Sequence, residues 1–216
     1  MHGCVHASRG QSLVESTTQA NHTTRHRRAG GRWRRRLEFG QSVRVSRRQL
    51  TAFLPAPDAD SVNVVRARWD PETAARISAH ITVVHDLRRE HLERLGAVMS
   101  SDAIAVRLGD PRCWGEPEGG ISGTVTDPVG ALARVRRVLG VVDRVGLAYE
   151  PHVTLIHPAT ALDVDAAWDA VRSMAFDMPL TIDTLHVISW NGARWDVVKA
   201  VPLGPALPGS RGSGWM

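Results

Sequence analysis

Apolar residues in this chain fall into short β-branched runs closed by Gly, Pro, Asp or Asn, with longer stretches of helical period between them. Leu50-Thr51-Ala52-Phe53-Leu54, stopped by Pro55, Pro57 and Asp58, predicts a first strand. A helix is expected around Ala59–Arg68, then a loop at Asp70-Pro71. His80–Val84 reads as a strand. Arg88–Met99 reads as a helix, with Leu92, Leu95 and Val98 on one face and charges opposite. Ala103–Leu108 predicts a further strand.

A second, similar series follows. Ile121–Thr126 predicts a strand, and Asp127-Pro128 opens a helix over Val129–Leu139, with Asp127 as cap and the proline in the first turn. Pro151 introduces a strand at His152–Ile156, a position that proline tolerates. Asp163 opens a helix reaching Val171. Leu180–Ser189 and Trp195–Val201 read as two strands joined at Asn191-Gly192, the commonest hairpin signal. The two series run in step: Leu50 and Ile121 are 71 residues apart, and His80 and His152 are 72 apart. A strand–helix–strand–helix–strand unit used twice is expected, with a pseudo-twofold axis and a cleft between the halves.

Chemistry concentrates at equivalent points of the two units. His80-Ile81-Thr82-Val83 and His152-Val153-Thr154-Leu155 each place a His and a Thr two residues apart in an apolar run. In a strand, positions i and i+2 share a face, so each motif presents an imidazole beside a hydroxyl. With ten His and thirteen Thr in 216 positions, chance supplies less than one H-x-T, and His22-Thr23-Thr24 is a decoy in polar surroundings. The weight lies in the second ordered copy and its matching flanks. Opening a cyclic phosphodiester needs a base for the incoming water and an acid for the departing ribose oxygen. Histidine serves either role near neutral pH. Thr82 and Thr154 can hold the non-bridging oxygens as charge builds on phosphorus. The catalytic set is therefore His80, Thr82, His152 and Thr154. The scheme requires no metal or other cofactor. Zinc on His80, His152 and a carboxylate is the alternative, but no close-spaced ligand pair supports it.

With these motifs the sequence resembles the 2H phosphoesterases, which include the 2′-5′ RNA ligases and cyclic phosphodiesterases. Pro151-His152-Val153-Thr154-Leu155 is similar to that family's second motif, and Trp190-Asn191-Gly192-Ala193-Arg194-Trp195 to its usual closing hairpin. The resemblance covers residues 49–204. It implies an α+β fold of two lobes, with two mainly antiparallel sheets flanking a central cleft and helices outside. It also implies metal-independent action on RNA ends or cyclic nucleotide phosphates. Glu150 shares a strand face with His152, where a carboxylate repels phosphate unless it turns away or orients the imidazole.

Charge refines the picture. Residues 1–48 hold eleven Arg against Glu15 and Glu38, a balance of +9, whereas residues 49–216 carry sixteen basic and twenty acidic side chains, a balance of −4. The basicity thus belongs to the tail. An acidic domain favours hydrolysis of small cyclic phosphates over joining of RNA ends, since extended RNA binding wants a positive groove. A non-catalytic RNA- or nucleotide-binding module is the reading from another class. Lys199 is the one lysine, and the bias toward Arg, Ala, Val and Gly reads as coding composition. Residues 1–48 lack any sustained period and are expected to be disordered. Their seven Arg within Arg25–Arg36, with Trp33, suit RNA or an anionic surface, although translated upstream sequence explains the composition more simply.

The repeats are expected at 49–120 and 121–204, with a loop at Gly115–Gly120 and a frayed end at 205–216. Cys4 and Cys113 are too few for a disulfide framework, and no apolar run is long enough to span a bilayer. A cytoplasmic monomer that meets no membrane and takes a nucleotide or RNA end is expected. His85 and His157 each follow a motif His by five residues and are expected to turn to the other strand face as structural residues. His91 and His186 have no partner by sequence. Tyr149 and Phe53 are expected to serve core packing rather than base stacking.

Overall fold

Eight strands and six helices follow one another along the described chain as β1 (Arg48–Phe53), α1 (Asp58–Trp69), α2 (Pro71–Arg76), β2 (His80–Val84), α3 (Arg89–Glu93), α4 (Leu95–Val98), β3 (Ile104–Trp114), β4 (Gly120–Thr126), α5 (Ala131–Leu139), β5 (His152–Ile156), α6 (Val164–Val171), β6 (Met178–Ile182), β7 (Thr184–Trp190) and β8 (Trp195–Pro202). The structure, a computed structural model, describes residues 47–56, 58–114, 119–143 and 148–204. The expectations for residues 1–46, for 115–118 of the Gly-rich loop and for 205–216 lie outside these.

The fold is α+β, but the two expected sheets are replaced by one. A single sheet runs in the order β6-β3-β4-β5-β2-β1-β7-β8, and every neighbouring pair is antiparallel. The order is symmetric about the β5–β2 seam, and each side draws strands from both halves of the sequence. β3 follows β2 along the chain yet pairs with β4, while β7 pairs with β1. Only Asp183 separates β6 from β7, although six strand spacings part them in the sheet. A flat sheet would hold them roughly 29 Å apart, and two peptide units span only about 7 Å. The sheet therefore curls until its ends approach.

That curl explains why Leu180–Ser189 is not one strand. β6 ends on β3 with Ile104 opposite Ile182, and β7 begins a new ladder on β8 with Thr184 opposite Pro202. β3 in turn runs past its expected end at Leu108 to Trp114. A register shift between Leu108 and Pro111 absorbs the proline, which has no N–H to give the ladder.

The helices pack on the apolar face of the sheet. Val62, Leu95, Leu132 and Val171 join Ile81, Val83, Val153 and Leu155 in one buried cluster. The helix expected over Arg88–Met99 divides at Arg94 into α3 and α4, where weakly helical Gly96 enters the second turn. The expected loop at Asp70-Pro71 is a helix start. Buried Asp70 accepts from Thr73 N at 3.1 Å, Pro71 takes the first position, and the second carboxylate oxygen accepts from His157 N at 2.9 Å. α5 starts later than expected. Gly130, in the left-handed region, is its cap, and Pro128 lies ahead of the helix rather than in its first turn, although the Asp127 carboxylate still accepts from Ala131 N and Leu132 N. Among the described residues, no helix is long and apolar enough to cross a membrane.

Candidate functional site

Each motif strand alternates in the same way. Ile81 and Val83 of β2, and Val153 and Leu155 of β5, are buried under the helices. Alternation then places His80, Thr82, His152 and Thr154 together on the opposite face. Ile81 pairs with Val153 across the seam, so antiparallel register sets Thr82 opposite His152 and His80 opposite Thr154. The two histidines become diagonal neighbours, roughly 7–8 Å apart along the backbone and somewhat closer at Cβ. Each His has its own Thr two positions along and the other motif's Thr across the seam.

Both rings are held alike. Nδ1 of His80 lies 2.8 Å from the Ser78 carbonyl oxygen, and Nδ1 of His152 lies 2.9 Å from that of Glu150. A carbonyl only accepts, so Nδ1 carries the proton in both neutral rings and Nε2 does not. Of the four motif residues, Thr82 and His152 line the cleft described below, and His80 and Thr154 are not among its lining. Behind Ser78, Asn63 donates from Nδ2 to the Ser78 hydroxyl at 3.0 Å and accepts from Ala79 N and from buried Arg66. Burial lowers Arg66 to about 10, opposed by Asp70. Glu150, flagged for repulsion, is paired at 2.8 Å with Arg112 from β3.

The surroundings of His80 favour its neutral form. Desolvation lowers its pKa to about 4; the Ser78 carbonyl opposes this, while Arg66, His152 and His85 push further down. Phe53, its cross-strand neighbour, stands edge-on with centroids 6.2 Å apart, and His186 meets the same phenyl ring at 5.1 Å. His186 is lowered by desolvation, with Asp183 opposing. Thr124 and Ser122 of β4 flank His152 and Thr154.

A cleft of about 980 Å³ opens beside Thr82 and His152, and Arg88, Arg94, Arg112, Trp114, Arg136 and Tyr149 are among the residues that line it. Another cavity, of about 520 Å³ between α1 and α2, is lined by no motif residue. His85 also lines the cleft, against expectation. β2 ends at Val84, so strand alternation does not reach it. Loss of hydration lowers its pKa, as do His152 and Arg47, with Asp86 opposing. His157 sits just past β5 with its ring edge-on to Trp114 at 6.3 Å. His91 lines the same cleft. Tyr149 does more than pack, donating its hydroxyl to the Thr82 carbonyl at 3.1 Å beneath the Arg136 guanidinium, 4.1 Å from the ring centre. Arg136 itself donates to the Val83 carbonyl at 2.6 Å. Among the described residues, no cluster of three or more His, Cys, Asp or Glu side chains is placed to hold a metal ion.

Sequence reasoning missed Arg112, Trp114, Arg136 and Arg66. No local spacing marks them, because each reaches the site from a strand or helix remote in sequence.

A family model described as the 2′-5′ RNA ligase superfamily matches residues 54–194. Among solved structures, Escherichia coli LigT complexed with 3′-AMP is 16% identical at a TM-score of 0.53, covering 74% of this chain and 99% of LigT. LigT complexed with ATP is 17% identical at 0.51, covering 74% and 99%. TT0787 of Thermus thermophilus is 14% identical at 0.50, covering 73% of this chain and 97% of its own. Such identities speak for the fold alone. No curated protein matches the sequence.

Proposed function

The chain belongs to the 2′-5′ RNA ligase superfamily, and on that premise we propose that it is a two-histidine phosphoesterase opening 2′,3′-cyclic phosphates of nucleotides or RNA ends. The observation that carries this reading is the matched presentation of two imidazoles, each with Nδ1 fixed by the carbonyl two residues back. Nε2 of His80, neutral at physiological pH because its ring is desolvated, takes a proton from water. The water oxygen attacks phosphorus. The bond from phosphorus to one ribose oxygen breaks, and protonated His152 gives that oxygen its proton from Nε2. Thr82 and Thr154 donate hydrogen bonds to the non-bridging oxygens, whose charge grows along the reaction.

Arg112, paired with Glu150 in the wall of the cleft, offsets the carboxylate charge that would otherwise repel a phosphate beside His152. The same push and pull in the same direction, with a ribose hydroxyl replacing water as the nucleophile, joins RNA ends. The hydroxyl oxygen bonds to phosphorus, its proton passes to His80, and the ring oxygen of the cyclic phosphate leaves with a proton from His152. The arginines of the cleft wall, Arg88, Arg94, Arg112 and Arg136, support this second reading, offset by Asp86, Glu90, Asp143 and Glu150 in the same wall. LigT structures with 3′-AMP, NADP+ and ATP lend support to a nucleotide ligand here. The test is a panel of 2′,3′-cyclic nucleotides and cyclic-phosphate RNA ends assayed with a chelator present. Turnover that survives the chelator supports the reading, and turnover abolished by it points to a metal enzyme.

A further inference from the structure

The two motif histidines are anchored to equivalent carbonyls, yet the residue between carbonyl and ring differs: Ala79 in the first motif, Pro151 in the second. Either carbonyl holds an Nδ1 proton only while its peptide plane is kept from turning. The Glu150 carbonyl carbon is bonded to the nitrogen of Pro151, whose ring locks rotation on that side of the plane. Ala79 has no such lock, and residues 77–79 lie between α2 and β2, outside both. What ties this plane is Asn63 of α1. Its Oδ1 accepts from Ala79 N at 2.9 Å, and the Ser78 oxygen at the other end of the same planar unit receives His80 Nδ1 at 2.8 Å. Asn63 Nδ2 also donates to the Ser78 hydroxyl at 3.0 Å. Fully buried Arg66 donates from Nη1 to Asn63 Oδ1 at 3.1 Å. A guanidinium only donates, so Arg66 settles which end of the Asn63 amide faces Ala79. Asn63 stands apart from the cleft, in the wall of the separate cavity between α1 and α2.

We propose that Asn63 is a positioning residue for His80, holding the Ser78–Ala79 peptide so that its carbonyl keeps the proton on Nδ1 and leaves Nε2 bare to act as base. The inference rests on the phosphoesterase reading and gives α1 the task that a proline ring performs in the other motif. Hydrogen bonds in series polarise one another, so an acceptor on Ala79 N also makes the Ser78 oxygen a better acceptor. Without Asn63 the plane is free to turn. The ring then moves toward the Nε2–H tautomer, which has no lone pair at that atom to take a proton from water.

The experiment reads the tautomer directly. Long-range proton–nitrogen correlation spectra of the imidazoles are recorded near about pH 8, where histidine is neutral, for wild type, Asn63→Ala and Asn63→Asp. His80→Asn and His152→Asn assign the two rings. Wild type carries the proton on Nδ1 in both. In Asn63→Ala the proton of His80 moves to Nε2 while that of His152 stays. Turnover of a 2′,3′-cyclic nucleotide falls about 10- to 100-fold in kcat, the upper end being the cost of a misplaced reacting group, with KM little changed. Asn63→Asp retains an acceptor for Ala79 N and restores the Nδ1–H form. A His80 proton that stays on Nδ1 in folded Asn63→Ala overturns the proposal, as does an equal change in both rings. Asn63→Ser, whose oxygen ends one bond short, repeats the test should Asn63→Ala fail to fold. If wild type opens no cyclic phosphate, the phosphoesterase reading has failed, and the spectra still decide whether Asn63 holds the ring.

Discussion

Ile81 faces Val153 across the seam where β2 meets β5, and this registered pair decides what lies on the other side of the sheet. Both side chains are fully buried beneath the helices. With them pinned inward, the His and Thr on either side of each must point outward. A slip of one residue would send both imidazoles into the core. The apolar seam and the polar site are two faces of one constraint.

Truncating the seam should therefore harm activity as well as stability. Ile81→Ala is expected to destabilise by about 2–5 kcal/mol in urea unfolding. Turnover, measured far below the melting temperature, should fall as well. Leu185→Ala, equally buried but on β7, should lose comparable stability with little loss of turnover. Equal effects on turnover would deny the seam its role.

Acid should weaken the fold through His80. Its pKa is about 4 in the folded chain against an ordinary 6.5. Above pH 6.5 the residue is neutral in both states and contributes no pH dependence. Between 6.5 and 4 the unfolded chain takes up a proton that the folded chain refuses, so stability falls as pH falls. The loss amounts to at most about 3 kcal/mol by pH 4. Urea midpoints from pH 7.5 to 4 should fall less steeply in His80→Asn than in wild type. The acid limb of kcat/KM should likewise lie well below pH 6.5.

Asp70 ties the start of α2 to the residue that follows β5, through Thr73 N and His157 N. Asp70→Ala strands both amides and is expected to cost about 1–3 kcal/mol in thermal or urea unfolding. Asp70→Asn should recover part of this, since its one carbonyl oxygen can still cap the helix. An unchanged midpoint in Asp70→Ala would show that water replaces both bonds.

The motif strands were legible because apolar alternation and the H-x-T spacing coincide in them; their bounds are those read from sequence, His80–Val84 and His152–Ile156. The split of Leu180–Ser189 was not, because Asp183 alone is a faint turn signal. What separates β6 from β7 is the curl of the whole sheet, a property of no local segment. The reach of β3 to Trp114 was hidden by Gly109 and Pro111, breakers in most strands and tolerated here by a register shift. Arg66 escaped notice because a helical arginine is ordinarily solvated, whereas here it is buried behind Asn63 and Ser78. The histidines could be read from the chain, but their support comes from distant elements and had to be seen.

The most direct measurement is turnover of a 2′,3′-cyclic nucleotide by His80→Ala and His152→Ala beside wild type, with substrate affinity measured separately. Each substitution should lower turnover roughly 10²- to 10⁴-fold while binding is largely retained. Two variants that turn over every cyclic phosphate at the wild-type rate would contradict histidine acid–base catalysis at this site.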